Sequence, residues 1–152
     1  TPRFFGLRDE AVCALCLDAK CKPLACRILG RGSVNAAGVP IRKIVEFALS
    51  VNATSVVLAH NHPSGIALPS HEDIAATERL SAALDAVGVI LADHIIVSDE
   101  DFVSMAASGV YRPVASPAAP CCVRPCNLRN AEGVSEGQTA RCFSQKRPGP
   151  HP

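Results

Sequence analysis

The 152-residue sequence lacks any run of 18 or more apolar residues, so no segment has the length and apolarity of a membrane-spanning helix. Its first residues, TPRFFGLRDE, lack the apolar stretch of a secretory signal, and Thr1 in place of Met suggests a truncated or processed chain. A basic excess is missing too. Residues 1–113 carry ten Lys and Arg against twelve Asp and Glu, and residues 114–152 carry five against two. Neither part has the charge expected of a nucleic-acid-binding face. Eight cysteines would suit a disulfide scaffold in a short secreted chain; without a secretion signal they are expected as reduced thiols in the cytoplasm. With 48% of its residues hydrophobic, the chain can bury a core as one domain.

Up to about Tyr111 strand-like and helix-like segments alternate. AVCALCLD and PLACRILG are apolar runs of strand length, separated by a turn at Ala19, Lys20, Cys21 and Lys22, and read as a hairpin. PIRKIVEFALSVNA has helical spacing, with Ile41, Ile44, Val45, Ala48 and Leu49 on one stripe and Pro40 suited to the first turn. TSVVLAH is a short β-branched run, expected as a buried strand. From Ser70 to Val87 the positions Ile74, Thr77, Leu80, Leu84 and Val87 follow a period near 3.6, and Gly88 suits the left-handed position that ends a helix. VILADHIIVSD reads as a further strand.

The chemistry concentrates in HNHPSGIALPSHED, His60 to Asp73. His60 and His62, two apart at a strand end, project to the same side and can converge on one ion. Pro63, Ser64 and Gly65 turn the chain. Ser70-x-x-Asp73 then opens a helix, whose first-turn side chains lean back toward its N-terminus and return Asp73 toward the histidines. Two imidazoles and a carboxylate suit a three-ligand zinc site with a fourth position left for water. Taken alone, Ser70-x-x-Asp73 is better read as a capping box, and each histidine reads equally well as a hydrogen-bonded loop residue. The joint pattern tips the balance to a metal site.

That pattern, H-x-H-P-S-G-x-x-x-P-S-x-x-D, resembles the JAMM motif of JAB/MPN-domain metalloproteins, in particular their RadC-like branch. The resemblance runs from about Phe4 to Arg112 and includes GSVNAAGVPIRKIVEFAL and LADHIIVSDEDFVSM. It implies an α/β fold with a mixed, curved sheet flanked by helices, and zinc held by His60, His62 and Asp73. It further implies that the Ser70 hydroxyl helps to stabilise an oxyanion, and that the substrate is a peptide or protein cleaved at a peptide or isopeptide bond. Active members also use an upstream glutamate as acid and base. Between Cys13 and His60 the only acids are Asp18, in the hairpin turn, and Glu46, four residues after Arg42 and better suited to an ion pair. Glu10, just before the first strand, is the remaining candidate. Where the glutamate would be sought, in CRILGRGSVN, Arg31 between two glycines is the expected point of close approach, followed by Cys26. Slow or undetectable peptide hydrolysis is therefore expected, with a catalytically weak metal-containing binding module as the rival reading. DNA repair is implied only by a label that RadC-like proteins carry.

Cys13 and Cys16 form a C-x-x-C, but an odd offset on a strand sends the two thiols to opposite faces, and they are read as buried and inert. Asp93-His94, in the last strand, reads as a structural pair or as support for a metal ligand. Arg42, Lys43 and Arg79 are read as solvated helix faces. Residues 114–152, rich in Pro, Gly and Ser, read as a disordered tail, whose four cysteines and His151 match no common zinc module. Such a composition cannot offset an ordering cost of ~1 to 2 kcal/mol per residue. Truncation after Pro113 is therefore expected to leave the melting temperature nearly unchanged in a thermal denaturation experiment.

Overall fold

The computed structural model describes residues 9–32, 38–98 and 101–114. The expected tail thus lies outside the described residues, apart from Val114. Five strands and two helices follow one another as β1 (Ala11–Leu17), β2 (Pro23–Arg31), α1 (Ile41–Ser50), β3 (Ser55–Asn61), α2 (His71–Asp85), β4 (Ile90–Val97) and β5 (Phe102–Ser104). The strands form one mixed sheet in the order β2-β1-β3-β4-β5, in which only β3 and β4 run parallel. This is the expected α/β architecture. The antiparallel β1–β2 pair closes through Asp18, whose carboxylate accepts from the Lys20 and Lys22 N–H groups at 2.8 and 2.9 Å. Asp18 is therefore a turn residue. The parallel β3–β4 pair needs a long crossover, which α2 supplies.

Alternation along the strands divides the sheet into two unequal faces. On one, Ala14 and Cys16 of β1, Val56 and Leu58 of β3, and Leu91 and Ile96 of β4 meet Ile44, Phe47 and Ala48 of α1 and Leu80 and Leu84 of α2. Leu80 and Leu84 are fully buried, and each contributes roughly 1.5–3 kcal/mol of transfer free energy. The other face carries a smaller cluster of Ala11, Cys13, Ala59, Ile95 and Val97. Both helices contribute to the first cluster and neither to the second.

Cys13 and Cys16 do face opposite ways. Burial pushes the Cys16 thiol up to about 11, with the neighbouring Cys26 adding to the shift, so it stays protonated and inert at neutral pH. Cys13 instead meets Cys26 across the hairpin, with the sulfurs 3.2 Å apart. The helical stripes need correction at their ends. Phe47 rather than Leu49 faces the core of α1, and Leu49 is 49% exposed. Phe47 also carries Arg27 above its ring, at 4.8 Å from the centroid. Val87 is 41% exposed, because α2 stops at Asp85 and the chain turns through Gly88 at φ 74°. β5 was not expected from the sequence.

Candidate metal centre

The end of β3 and the start of α2 build the site together. His60 sits opposite Val12 of β1 and Ile96 of β4, on the face that the helices cover. It is 2% exposed. His62 lies just past the strand, but its N–H still donates to the Val97 carbonyl at 2.7 Å, so the extended path continues and both imidazoles share one side. The chain then reverses, with Gly65 N–H donating to the His62 carbonyl at 3.2 Å and Gly65 at φ 82°, a conformation that suits glycine.

Ser70 caps α2. Its hydroxyl oxygen accepts from Asp73 N–H at 3.1 Å, and its own N–H donates to Asp73 Oδ2 at 2.7 Å, which completes a capping box. The Ser70 hydroxyl also donates to Asp73 Oδ2, at 2.7 Å. The cap and the candidate ligand group therefore share one structure, in which the cap holds the carboxylate in place. Asp73 Oδ1 lies 3.2 Å from His60 Nε2, and Oδ2 lies 3.4 Å from His62 Nε2. The two Nε2 atoms are 2.8 Å apart. Among the described residues these three side chains form a group able to hold a metal ion, with the donor atoms within 4.8 Å of one another. Ser70→Ala removes the cap and is expected to lower unfolding free energy by ~1 kcal/mol, read by urea denaturation of the metal-free protein.

The charges suit a cation. Burial would raise the Asp73 carboxyl, but the adjacent His60 ring and the hydrogen bonds from Ser70 N–H and the Ser70 hydroxyl together hold it well below the usual carboxylate range. It is an anion at neutral pH. His62 Nδ1 lies 3.1 Å from the Ile66 carbonyl oxygen, which can only accept, so the proton sits on Nδ1 and the Nε2 lone pair faces His60 and Asp73. Two imidazole nitrogens and one carboxylate oxygen converging at these distances are a donor set that fits a divalent metal ion.

Residues 1–110 match the sequence profile described as the RadC-like JAB domain. The chain belongs to the RadC-like JAB domain family. Among its relatives is a UPF0758 protein of Alcanivorax borkumensis, 43% identical over 109 residues, which are 72% of this chain and 49% of that protein. A UPF0758 protein of Pseudomonas syringae pv. tomato is 46% identical over 101 residues, 66% of this chain and 45% of that one. The chain thus spans about half the length of these curated relatives.

Within the RadC-like domain the other candidates separate clearly. Glu46 pairs with Arg42 at 2.8 Å on the exposed side of α1. Arg31 pairs with Ala11, and Cys26 with Leu15. Both therefore lie on the face away from His60, which corrects the expectation that a carboxylate at either position would approach the site. Glu10 immediately precedes β1, two residues before Val12, the residue that sits opposite His60. Its backbone is held by Gly32 N–H, which donates to the Glu10 carbonyl at 3.0 Å. Asn61, the residue between the two histidines, grips both neighbours of Glu10: Oδ1 accepts from Ala11 N–H at 2.7 Å and Nδ2 donates to the Asp9 carbonyl at 3.2 Å.

Asp93 and His94 part company. The Asp93 carboxylate accepts from His94 N–H, Ala106 N–H and the Ser104 hydroxyl at 2.7, 3.0 and 2.6 Å, tying β4 to the turn after β5. Burial nevertheless raises its carboxyl above the ordinary value. His94 points to the helix-covered side, where burial, reinforced by the nearby His60, pushes it down to about 3 and keeps it neutral. Sequence reasoning missed Asn61 and the polar role of Thr77. The available signals were an asparagine between two strand-end histidines and a hydroxyl in an otherwise apolar stripe.

No helix among the described residues is long and apolar enough to cross a membrane.

Proposed function

We propose that this domain is a zinc-dependent hydrolase of peptide or isopeptide bonds, with His60, His62 and Asp73 as metal ligands and Glu10 as the acid and base. The observation that carries the reading is the convergence of two imidazole nitrogens and one ionised carboxylate at a strand end and a helix start. Bound zinc would supply a Lewis acid and lower the pKa of a coordinated water toward ~7. The protein supplies the rest. Asp73, held by its own helix cap, brings one negative charge that offsets part of the ion's charge. Glu10 takes a proton from the attacking water and returns it to the leaving amine. Its support is its place in the chain, two residues before the Val12 that sits opposite His60, and the grip of Asn61 on the backbone to either side. Ser70 stabilises the developing oxyanion once its hydroxyl turns away from Asp73 Oδ2.

The test is cleavage of a library of peptides and isopeptide-linked peptides by the zinc-loaded protein, with and without a chelator. Chelator-sensitive cleavage supports the reading. One zinc per chain with no cleavage of any member would replace the hydrolase by a metal-containing binding module.

A further inference from the structure

Behind His60, on the side away from the other ligands, stands a second buried histidine that the metal centre leaves out. His94 is 0% exposed. Its Nε2 lies 2.8 Å from His60 Nδ1, and its Nδ1 lies 2.6 Å from Thr77 Oγ1. Thr77, fully buried on α2, places its hydroxyl 2.5 Å from the backbone carbonyl of Asp73, one turn earlier. These contacts close a ring, since Asp73 itself reaches back to His60 through Oδ1.

The proton positions around that ring follow from counting donors. A carbonyl oxygen only accepts, so the single Thr77 proton goes to Asp73, and Thr77 Oγ1 must accept from His94 Nδ1–H. A neutral imidazole has one N–H, so His94 Nε2 is an acceptor and His60 Nδ1 is the donor that fills it. His60 Nε2 is thereby left with its lone pair directed at His62 and Asp73. We propose that His94, backed by Thr77, is a positioning residue that sets the tautomer and ring orientation of His60 for metal binding. The Ile66 carbonyl does the same for His62 from the exposed side.

This assignment rests on reading the triad as a metal site. Metal-bound histidines usually direct their far N–H to a carboxylate, a backbone carbonyl or water. A neutral imidazole gives the same direction without adding charge to a region that buries Leu58, Leu80 and Ile96 completely. It also joins β3, β4 and α2, the elements on which His60, His94 and Asp73 stand.

The experiment has two arms. In the metal-free wild type, long-range proton–nitrogen NMR on ring-labelled protein reads the His94 tautomer directly, and Nδ1–H is the expected form. In the second arm, zinc affinity is measured by competition with a chromophoric chelator in His94→Phe, which removes the acceptor, and His94→Gln, whose amide oxygen can replace Nε2. Affinity is expected to fall ~10- to 100-fold in His94→Phe and to recover to within a few-fold of wild type in His94→Gln. His94 found as the Nε2–H form would overturn the relay while leaving metal uptake intact, as would a folded His94→Phe that binds zinc like wild type. Should His94→Phe fail to fold, the wild-type spectrum and His94→Gln still decide: Nδ1–H with near-wild-type affinity in His94→Gln supports the relay, and the opposite tautomer refutes it. Wild-type protein that takes up no zinc would instead overturn the metal reading itself, before any variant is made.

Discussion

His62→Ala is expected to reduce bound zinc from about one ion per chain to almost none, because it leaves only two protein ligands where a site of this type uses three. His62 is the better probe of the two histidines. Its side chain is 15% exposed against 3% for His60, so its removal opens a surface notch, whereas His60→Ala would leave the His94 ring without its partner in the core. Binding to the native state alone links the metal to stability. At free zinc of 100 times Kd the gain is ~2.7 kcal/mol. For a domain of this size that is a rise on the order of 10 °C in melting temperature. Wild type should show the rise on zinc addition and His62→Ala should show none. Elemental analysis finding equal zinc in both proteins would remove His62 from the ligand set.

The convergence of His60, His62 and Asp73 was legible because each stands where local geometry alone dictates direction. His60 and His62 are two apart on an extended segment, and Asp73 is in a first helical turn, so no knowledge of distant neighbours was needed. In the sequence a capping box and a metal ligand are rival readings of Ser70-x-x-Asp73, yet the same hydrogen bonds serve both. What depended on register was hidden. Arg31 looked well placed between two glycines, but the shift in β1–β2 pairing between Val12 and Cys13 sets which β2 residues face the site, and no local pattern reports it. The helical period places Thr77 on the buried face of α2, but it does not report that its hydroxyl is hydrogen-bonded there. β5 is three residues long, too short for alternation to register, and is defined by its ladder with Ile95, Ile96 and Val97.

Glu10→Gln separates chemistry from metal binding. Glutamine keeps the shape of the side chain but cannot take a proton from water at neutral pH, and Glu10 is not among the three ligands. Zinc content and the zinc-induced rise in melting temperature are therefore expected to match wild type. Cleavage should fall by roughly 10² to 10⁴, the range that a positioned acid and base contributes. The backbone restraints on Glu10 make a second variant informative. Asn61→Leu removes the contacts to Asp9 and Ala11 without touching a metal donor, so it should lower the cleavage rate at unchanged zinc content, by less than Glu10→Gln. Arg31→Glu, on the opposite face, should not restore cleavage when combined with Glu10→Gln. Initial rates on one cleaved peptide, with zinc measured in the same samples, give all three comparisons. Cleavage by zinc-loaded Glu10→Gln at the wild-type rate would exclude Glu10 as the base. Recovery in the double variant with Arg31→Glu would instead move the proton acceptor to the other side of the sheet, against the register of β1 and β2.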